Sequence, residues 1–169
     1  MTSSPRWAVR AAHLVPLALV PSALWRIAQG LGVPVGFSGQ LAEDFAAPGW
    51  ITPYVIVLSL VAEGVALLTL GLVRPWGERF PGWLPVLGGR TVPVLAAVVP
   101  AALGAAAVTA ATVTGAVLWN GPENNGNPDA PQGFAGLVMT VCYAPMLLWG
   151  PLLAAVTVAY YRRRRLTTM

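Results

Sequence analysis

A single carboxylate lies in the middle of a long apolar stretch. Residues 55–73, VIVLSLVAEGVALLTLGLV, carry no charged side chain except Glu63. An acidic residue at the centre of a membrane span costs about 2.5–3.5 kcal/mol on insertion scales, and such residues usually face the protein interior and mark functional sites. We therefore expect Glu63 to face other helices, where it is either protonated or paired with a cation. A protonated carboxyl there suits general acid catalysis on a lipid or isoprenoid substrate.

Arg26 is the cation best placed to reach Glu63. It lies in the preceding apolar stretch, which runs in the opposite direction, about 6–9 Å from the middle of the membrane. We expect the two side chains to be in contact, directly or through water, and both are candidate catalytic and binding residues. Further hydrogen bonds to this intramembrane polar cluster are expected from Ser22, Thr109 or Tyr143. The contact either holds the first two spans together or lines a binding cavity, and the sequence leaves both interpretations open.

A second candidate site lies in the connection that follows Glu63's stretch. Residues 74–90, RPWGERFPGWLPVLGGR, mix arginines with aromatic residues, and the candidate binding residues are Trp76, Arg79 and Trp83. Such a segment is typical of the headgroup layer, and we expect it to bind a cytoplasmic or membrane partner. The arginine run 162–165 can attract anionic lipid at about 1 kcal/mol per arginine, although an anchor for topology is the simpler interpretation.

Motifs for other kinds of chemistry are missing from the sequence. No second acidic residue lies at the depth of Glu63, and there is no nucleophile–base pair, metal-ligand cluster or phosphate-binding loop. We therefore predict neither a metal site nor a cofactor. The single cysteine, Cys142, excludes an internal disulfide, and His13 is interpreted as a residue of the inner membrane boundary. Four consecutive arginines without a surrounding fold do not make a nucleic-acid domain, so no nucleic acid partner is predicted.

The composition requires that the elements carrying these residues be membrane spans. Hydrophobic residues make up 56% of the 169 residues and charged residues only 9%, whereas an ordinary soluble domain has about 25% charged residues. A helix needs about 20 apolar residues to cross a membrane, and the windows that qualify are about 11–29, 53–73, 92–119 and 134–161. We predict an all-α membrane protein in which residues 1–169 form a single domain, a bundle of four transmembrane helices. The first window is interpreted as an uncleaved span rather than a signal peptide.

The distribution of arginines predicts the orientation. All ten basic residues are arginines, and nine of them lie in the two termini or in the connection between the second and third spans. The other two connections carry Glu43, Asp44, Glu123 and Asp129 instead. The positive-inside rule therefore places both termini in the cytoplasm of a protein of the cell membrane.

Smaller signals concern packing and the connections. Small residues recur at every fourth position of the third span from Ala97 to Thr109, a spacing that lets helices approach closely. The connection 120–133 is rich in Asn-Gly, Gly-Pro and Asn-Pro pairs and predicts a flexible loop. The segment SGQLAEDF, residues 38–45, predicts a short interfacial helix with Ser38 as its N-cap.

Two segments carry a resemblance to a known group of proteins. RPWGERFPGWLPVLGGRTVPVLAAVVPAALGA, residues 74–105, and CYAPMLLWGPLLAAVTVAYYRRR, residues 142–164, resemble stretches that recur in small, uncharacterised four-span integral membrane proteins of actinobacteria. The resemblance implies the same multi-span topology and a plasma-membrane location. The group has no established activity, so the resemblance assigns no functional residues.

These observations favour an integral membrane protein that binds lipid or interacts with another protein. Membrane lipids are the expected partners, and a homo-oligomer or a complex with another membrane protein stays open. Two alternatives also stay open: an intramembrane enzyme acting on a lipid or isoprenoid with Glu63 as general acid, and a subunit of an oligomeric transporter or channel.

Overall fold

The computed structural model describes residues 4–79, 82 and 89–166 of the chain. Its α-helices are α1 (Arg6–Gly30), α2 (Gly39–Asp44), α3 (Ile51–Leu68), α4 (Val94–Val117), α5 (Gly133–Tyr143) and α6 (Trp149–Leu166). Shorter 3-10 helices cover Thr69–Leu72, Pro75–Gly77 and Ala144–Leu148. Four segments of the described chain are long and apolar enough to cross a membrane: Arg6–Gly30, Ile51–Leu72, Val94–Val117 and Gly133–Arg165. The prediction of an all-α chain with four such spans is confirmed.

The span boundaries differ from the predicted ones where proline and backbone hydrogen bonding decide them. The first span begins at Arg6 rather than near residue 11, because the carbonyl of Pro5 accepts the amides of Ala8 and Val9 at 3.0 and 3.1 Å and starts the helix earlier. The fourth span is longer than predicted and is interrupted by the 3-10 segment Ala144–Leu148. Pro145 lies in that segment and has no N–H to donate to the α-helical ladder.

The chain divides into two compact units that differ in charge. One unit contains Met1–Leu17, Val65–Thr109 and Leu148–Met169, and the other contains Ala18–Gly64 and Ala110–Leu147. The first, called here the arginine-rich unit, has nine arginines and one acidic residue, a formal charge of +8. The second, called here the acidic unit, has one arginine and five acidic residues, a formal charge of −4.

Within the arginine-rich unit, α4 and α6 approach each other closely. A Cβ atom on Gly150 would overlap the side chain of Thr109, so only glycine fits at this position. The Thr109 hydroxyl donates to the carbonyl of Ala105 at 2.7 Å, and Ala105 is buried. Ala105 and Thr109 belong to the predicted row of small residues. The neighbouring Gly104 meets no described atom within 4 Å of its Cβ position and takes no part in this contact.

Within the acidic unit, the connection 120–133 is tied to the start of α2. The short helix α2 forms where it was predicted, and Ser38 is its N-cap residue as predicted, but the Ser38 side chain makes no capping hydrogen bond. The Asp129 carboxylate instead accepts the amide of Gln40 at 3.1 Å, and the Asp129 carbonyl accepts the amide of Ser38 at 2.9 Å. Asp129 therefore anchors a connection whose composition predicted a flexible loop.

Candidate functional site

Arg26 is a buried cation near the end of a membrane-spanning helix. Only 8% of its surface is exposed, and it lies four residues before the end of α1 at Gly30. Its Nε donates to the Ser59 hydroxyl on α3 at 3.2 Å. Its guanidinium lies over the ring of Tyr143 on α5, 5.7 Å from the centroid, a distance at which a cation and a ring attract each other. All three residues belong to the acidic unit.

Helical periodicity explains why these side chains meet. Ser22, Arg26 and Gln29 follow one another at intervals of four and three residues and share one face of α1, and all three are buried. On α3 the buried residues Ile51, Val55 and Ser59 recur at every fourth position. The polar face of α1 therefore meets the buried face of α3 at Ser59.

The predicted direct contact between Arg26 and Glu63 is not formed. All six acidic side chains lie in the described part of the chain, and no ion pair of 4.0 Å or less joins any of them to Arg26. The reason is that Arg26 is bound to Ser59, which lies four residues, about one helical turn, before Glu63 on α3. Arg26 thus has no carboxylate counter-ion within 4.0 Å among the described residues.

Glu63 is placed apart from this contact. It is half-buried, and its Oε2 atom is buried without a hydrogen-bond partner in the described structure. Ser22 and Thr109, which were expected to hydrogen-bond to Arg26 or Glu63, have other partners. Ser22 donates to the Leu19 carbonyl at 2.9 Å, and Thr109 donates to the Ala105 carbonyl and belongs to the arginine-rich unit. Of the predicted polar cluster, the structure brings Arg26 and Tyr143 together.

A row of contacting aromatic rings, called here the aromatic chain, extends from Arg26 along the acidic unit. The sequence analysis did not predict it. Tyr143 contacts Trp25 with ring centroids 5.6 Å apart, Trp25 contacts Phe37 at 5.9 Å, and Phe37 contacts Phe45 at 5.2 Å. Phe45 then leads to Trp50 at 6.5 Å. Exposure rises along this aromatic chain, from 8% at Trp25 to 62% at Trp50. The rings come from separate segments of the sequence, and no local pattern indicates that they meet.

The second predicted site lies in the arginine-rich unit and is only partly described. Trp76 is exposed by 47%, and its ring packs against Gly71, where a Cβ atom would lie 2.7 Å away. Arg79 is exposed and forms an isolated antiparallel bridge with Thr91. Trp83 lies outside the described residues. Trp76 and Arg79 therefore share the connection, and their binding role stays a prediction.

The C-terminal arginines hold this connection in place. Arg163 Nη2 lies 2.6 Å from Glu78 Oε1 and 3.3 Å from the Leu72 carbonyl. Arg164 Nη2 donates to the Val92 carbonyl at 2.9 Å, and its Nη1 lies 3.9 Å from Glu78 Oε2. Two arginines of the terminal run are thus structural, a role that the sequence analysis did not foresee. The one signal available was that Glu78 is the only acidic residue among these arginines.

Comparison of the chain with protein-family models, with curated proteins and with solved structures gives no match. The site geometry is therefore the basis for assigning a function. A buried guanidinium without a carboxylate counter-ion among the described residues, next to a series of rings and near the end of a span, is suited to binding an anionic group.

Proposed function

We propose that this protein is a lipid-binding component of the cell membrane that holds the anionic group of a membrane amphiphile at Arg26. The observation that carries the proposal is the burial of Arg26 without a carboxylate within 4.0 Å. Burying a charge is expensive unless the charge is paired and hydrogen-bonded. In a membrane, the abundant source of an anionic partner near the end of a helix is a lipid headgroup.

The protein supplies only part of the stabilisation that Arg26 needs. A hydrogen bond involving a charged group contributes about 1.5–3 kcal/mol, and a desolvated cation–ring contact about 2 kcal/mol. The effective penalty for burying an ion is several kcal/mol. Arg26 has five N–H donors, of which Ser59 uses one. The four on its two terminal amino groups have no carboxylate or backbone acceptor among the described residues, and the Tyr143 side chain beside them is neutral. An anion bound there would complete the site.

The charge of the two units supports an orientation for the binding site. The arginine-rich unit contains both chain termini, and nine of the ten arginines, so the positive-inside rule favours the cytoplasm for the termini. Helix α1 would then run outward, and Arg26 near its end would lie in the outer half of the membrane. The amphiphile would accordingly enter from the outer leaflet.

Labelling of single cysteines in intact cells tests this orientation. In a Cys142→Ser background, Glu123→Cys should react with a membrane-impermeant maleimide, whereas Arg162→Cys should react only after the cells are permeabilised. Both residues are exposed in the structure, so differences in reactivity report the side of the membrane. The opposite pattern of labelling would reverse the proposed orientation.

Native mass spectrometry of the protein purified in mild detergent tests the binding function. We expect a bound amphiphile on the wild type and on Arg162→Gln, which removes an exposed arginine, and at least a tenfold lower bound fraction on Arg26→Gln. Circular dichroism of each variant checks that the helices are retained. Equal occupancy of wild type and Arg26→Gln, or a wild type without any bound amphiphile, would rule out the proposed role of Arg26.

A further inference from the structure

We propose that the amphiphile is a zwitterionic phospholipid, whose phosphate lies on Arg26 and whose cationic amine lies against the aromatic chain formed by Trp25, Phe37 and Phe45. This inference rests on the proposed function and names the ligand of the same site. Three features of the acidic unit lead to it: the donors around Arg26, the rings beside it, and the charge of the unit as a whole.

The donors around Arg26 favour a phosphate over a carboxylate. Ser59 accepts the Nε proton of Arg26, so its own hydroxyl proton points elsewhere, and Gln29 on the same face of α1 adds a buried amide. Tyr143 lies beside the guanidinium, with its ring centroid 5.7 Å from the Cζ atom of Arg26. These groups come from α1, α3 and α5. A tetrahedral phosphate presents oxygens in several directions, whereas a carboxylate presents two in one plane.

The aromatic chain begins directly beside this donor group. Tyr143 touches both Arg26 and Trp25, and the next ring is Phe37, 5.9 Å from Trp25. A phosphate on Arg26 therefore brings the rest of its headgroup next to ring faces. Aromatic rings bind ammonium and quaternary ammonium cations within about 6 Å of a ring centroid, and Phe37 and Phe45 are only half-buried.

The charge of the acidic unit selects against a headgroup with a net negative charge. Arg26 is the only basic residue of this unit, which has five acidic residues. Two of them, Glu43 and Asp44, directly precede Phe45, and the Asp44 carbonyl accepts the indole N–H of Trp50 at 3.1 Å. The formal charge of −4 would favour an amine on the aromatic chain and would repel an anionic headgroup.

Exposed apolar residues provide a place for the acyl chains. Leu24 on α1 is exposed by 62% and Leu31, just past its end, by 68%. They lie within five residues of Arg26 but on other faces of α1, so the acyl chains of a lipid held at Arg26 would extend around the helix over an apolar surface. This favours an intact phospholipid over a soluble phosphate ester of the same headgroup.

Binding of defined lipids to the delipidated, detergent-purified protein tests the inference. The probes are phosphatidylethanolamine, phosphatidylcholine and phosphatidylglycerol with identical chains, oleate, and soluble phosphoethanolamine, and the readout is the Kd from native mass spectrometry. We expect the two zwitterionic lipids to bind at least tenfold more tightly than phosphatidylglycerol or oleate. Phosphoethanolamine without chains should not bind measurably, and saturation by it would assign the site to a soluble phosphate ester instead.

Two variants examine the aromatic and acidic parts separately. Phe37→Leu should weaken phosphatidylethanolamine at least fivefold and leave phosphatidylglycerol unchanged, while Phe134→Leu, an 81% exposed phenylalanine of the same unit, should change neither. The double variant Glu43→Gln, Asp44→Asn should reduce the ratio between the Kd for phosphatidylglycerol and the Kd for phosphatidylethanolamine. Equal or tighter Arg26-dependent binding of phosphatidylglycerol or oleate would overturn this inference but keep the proposed function. If no lipid binds in an Arg26-dependent way, both fail.

Discussion

The ion pair between Glu78 and Arg163 gives the sharpest prediction about stability. The two side chains are 2.6 Å apart, with 19% and 9% of their surfaces exposed. Exposed pairs contribute about 0–1 kcal/mol, while removing one partner of a fully buried pair costs about 3–5 kcal/mol. This pair is mostly buried but keeps some contact with solvent. We therefore expect Glu78→Gln to lower the free energy of unfolding by about 2 kcal/mol.

The expected loss is large enough to measure by thermal unfolding in detergent. For a chain of this size, 1 kcal/mol corresponds to roughly 2–4 °C in Tm, so Glu78→Gln should lower Tm by roughly 4–8 °C. The matched control is Glu43→Gln, which neutralises an exposed carboxylate and should shift Tm by less than about 2 °C. High salt should reduce the difference only partly, because buried pairs are screened less than exposed ones.

A double-mutant cycle separates the ion pair from general effects of each substitution. Arg163→Gln and the double variant, measured with Glu78→Gln, should give a coupling free energy of at least about 1 kcal/mol. If the coupling free energy is zero and Glu78→Gln has the same Tm as Glu43→Gln, the ion pair does not stabilise the connection 74–90.

Three further predictions address other contacts. Gly150→Ala places a Cβ against Thr109 and should destabilise the protein by about 1–3 kcal/mol through overpacking, measured by thermal unfolding. Asp129→Ala removes the acceptor of the Gln40 amide and should speed amide hydrogen exchange in residues 120–133, measured by mass spectrometry. Glu63→Leu removes a buried oxygen without a partner and should raise the free energy of unfolding by about 1–3 kcal/mol.

Matched controls and opposing outcomes accompany these three. Gly115→Ala, on a helical glycine whose Cβ position is open, should be neutral or slightly stabilising, and an equal effect of both alanine variants would dismiss the close contact of α4 with α6. Glu123→Ala, in the same connection as Asp129, should leave exchange unchanged. A loss of stability in Glu63→Leu would mean that the carboxyl has a partner such as a bound molecule, and would favour the alternatives that make Glu63 functional.

The spans could be predicted from sequence because each depends on a property that is local in the chain. A run of about 20 apolar residues is sufficient for a spanning helix, and α2 was predicted from the segment 38–45 with Ser38 ahead of it. The break at Pro145 follows from the missing N–H and was within reach of the same reasoning. Boundaries were less certain because they depend on individual hydrogen bonds, such as those to Pro5.

The side-chain partners could not be predicted because they depend on register between distant segments. The sequence placed Arg26 about 6–9 Å from the depth of Glu63, a gap that two flexible side chains were expected to close. Arg26 instead contacts Ser59, one helical turn before Glu63, and apolar length alone cannot resolve a difference of one turn. Glu78 and Arg163 are 85 residues apart, and Asp129 and Gln40 are 89 apart. Nothing in either local pattern identifies the partner. The arginine run at the C-terminus was accordingly interpreted as an anchor when half of it is structural.

The most direct test of lipid binding at Arg26 is a solid-state NMR measurement of the coupling between guanidinium ¹⁵N and lipid ³¹P in liposomes. The protein would carry ¹⁵N-arginine, and the difference between wild type and Arg26→Gln isolates the signal of Arg26. Charge-assisted N–H···O contacts of about 2.7–2.9 Å predict a dephasing signal for a nitrogen–phosphorus distance of about 4 Å that disappears in Arg26→Gln. Identical dephasing in the two proteins would show that no phosphate lies on Arg26 and would contradict the account.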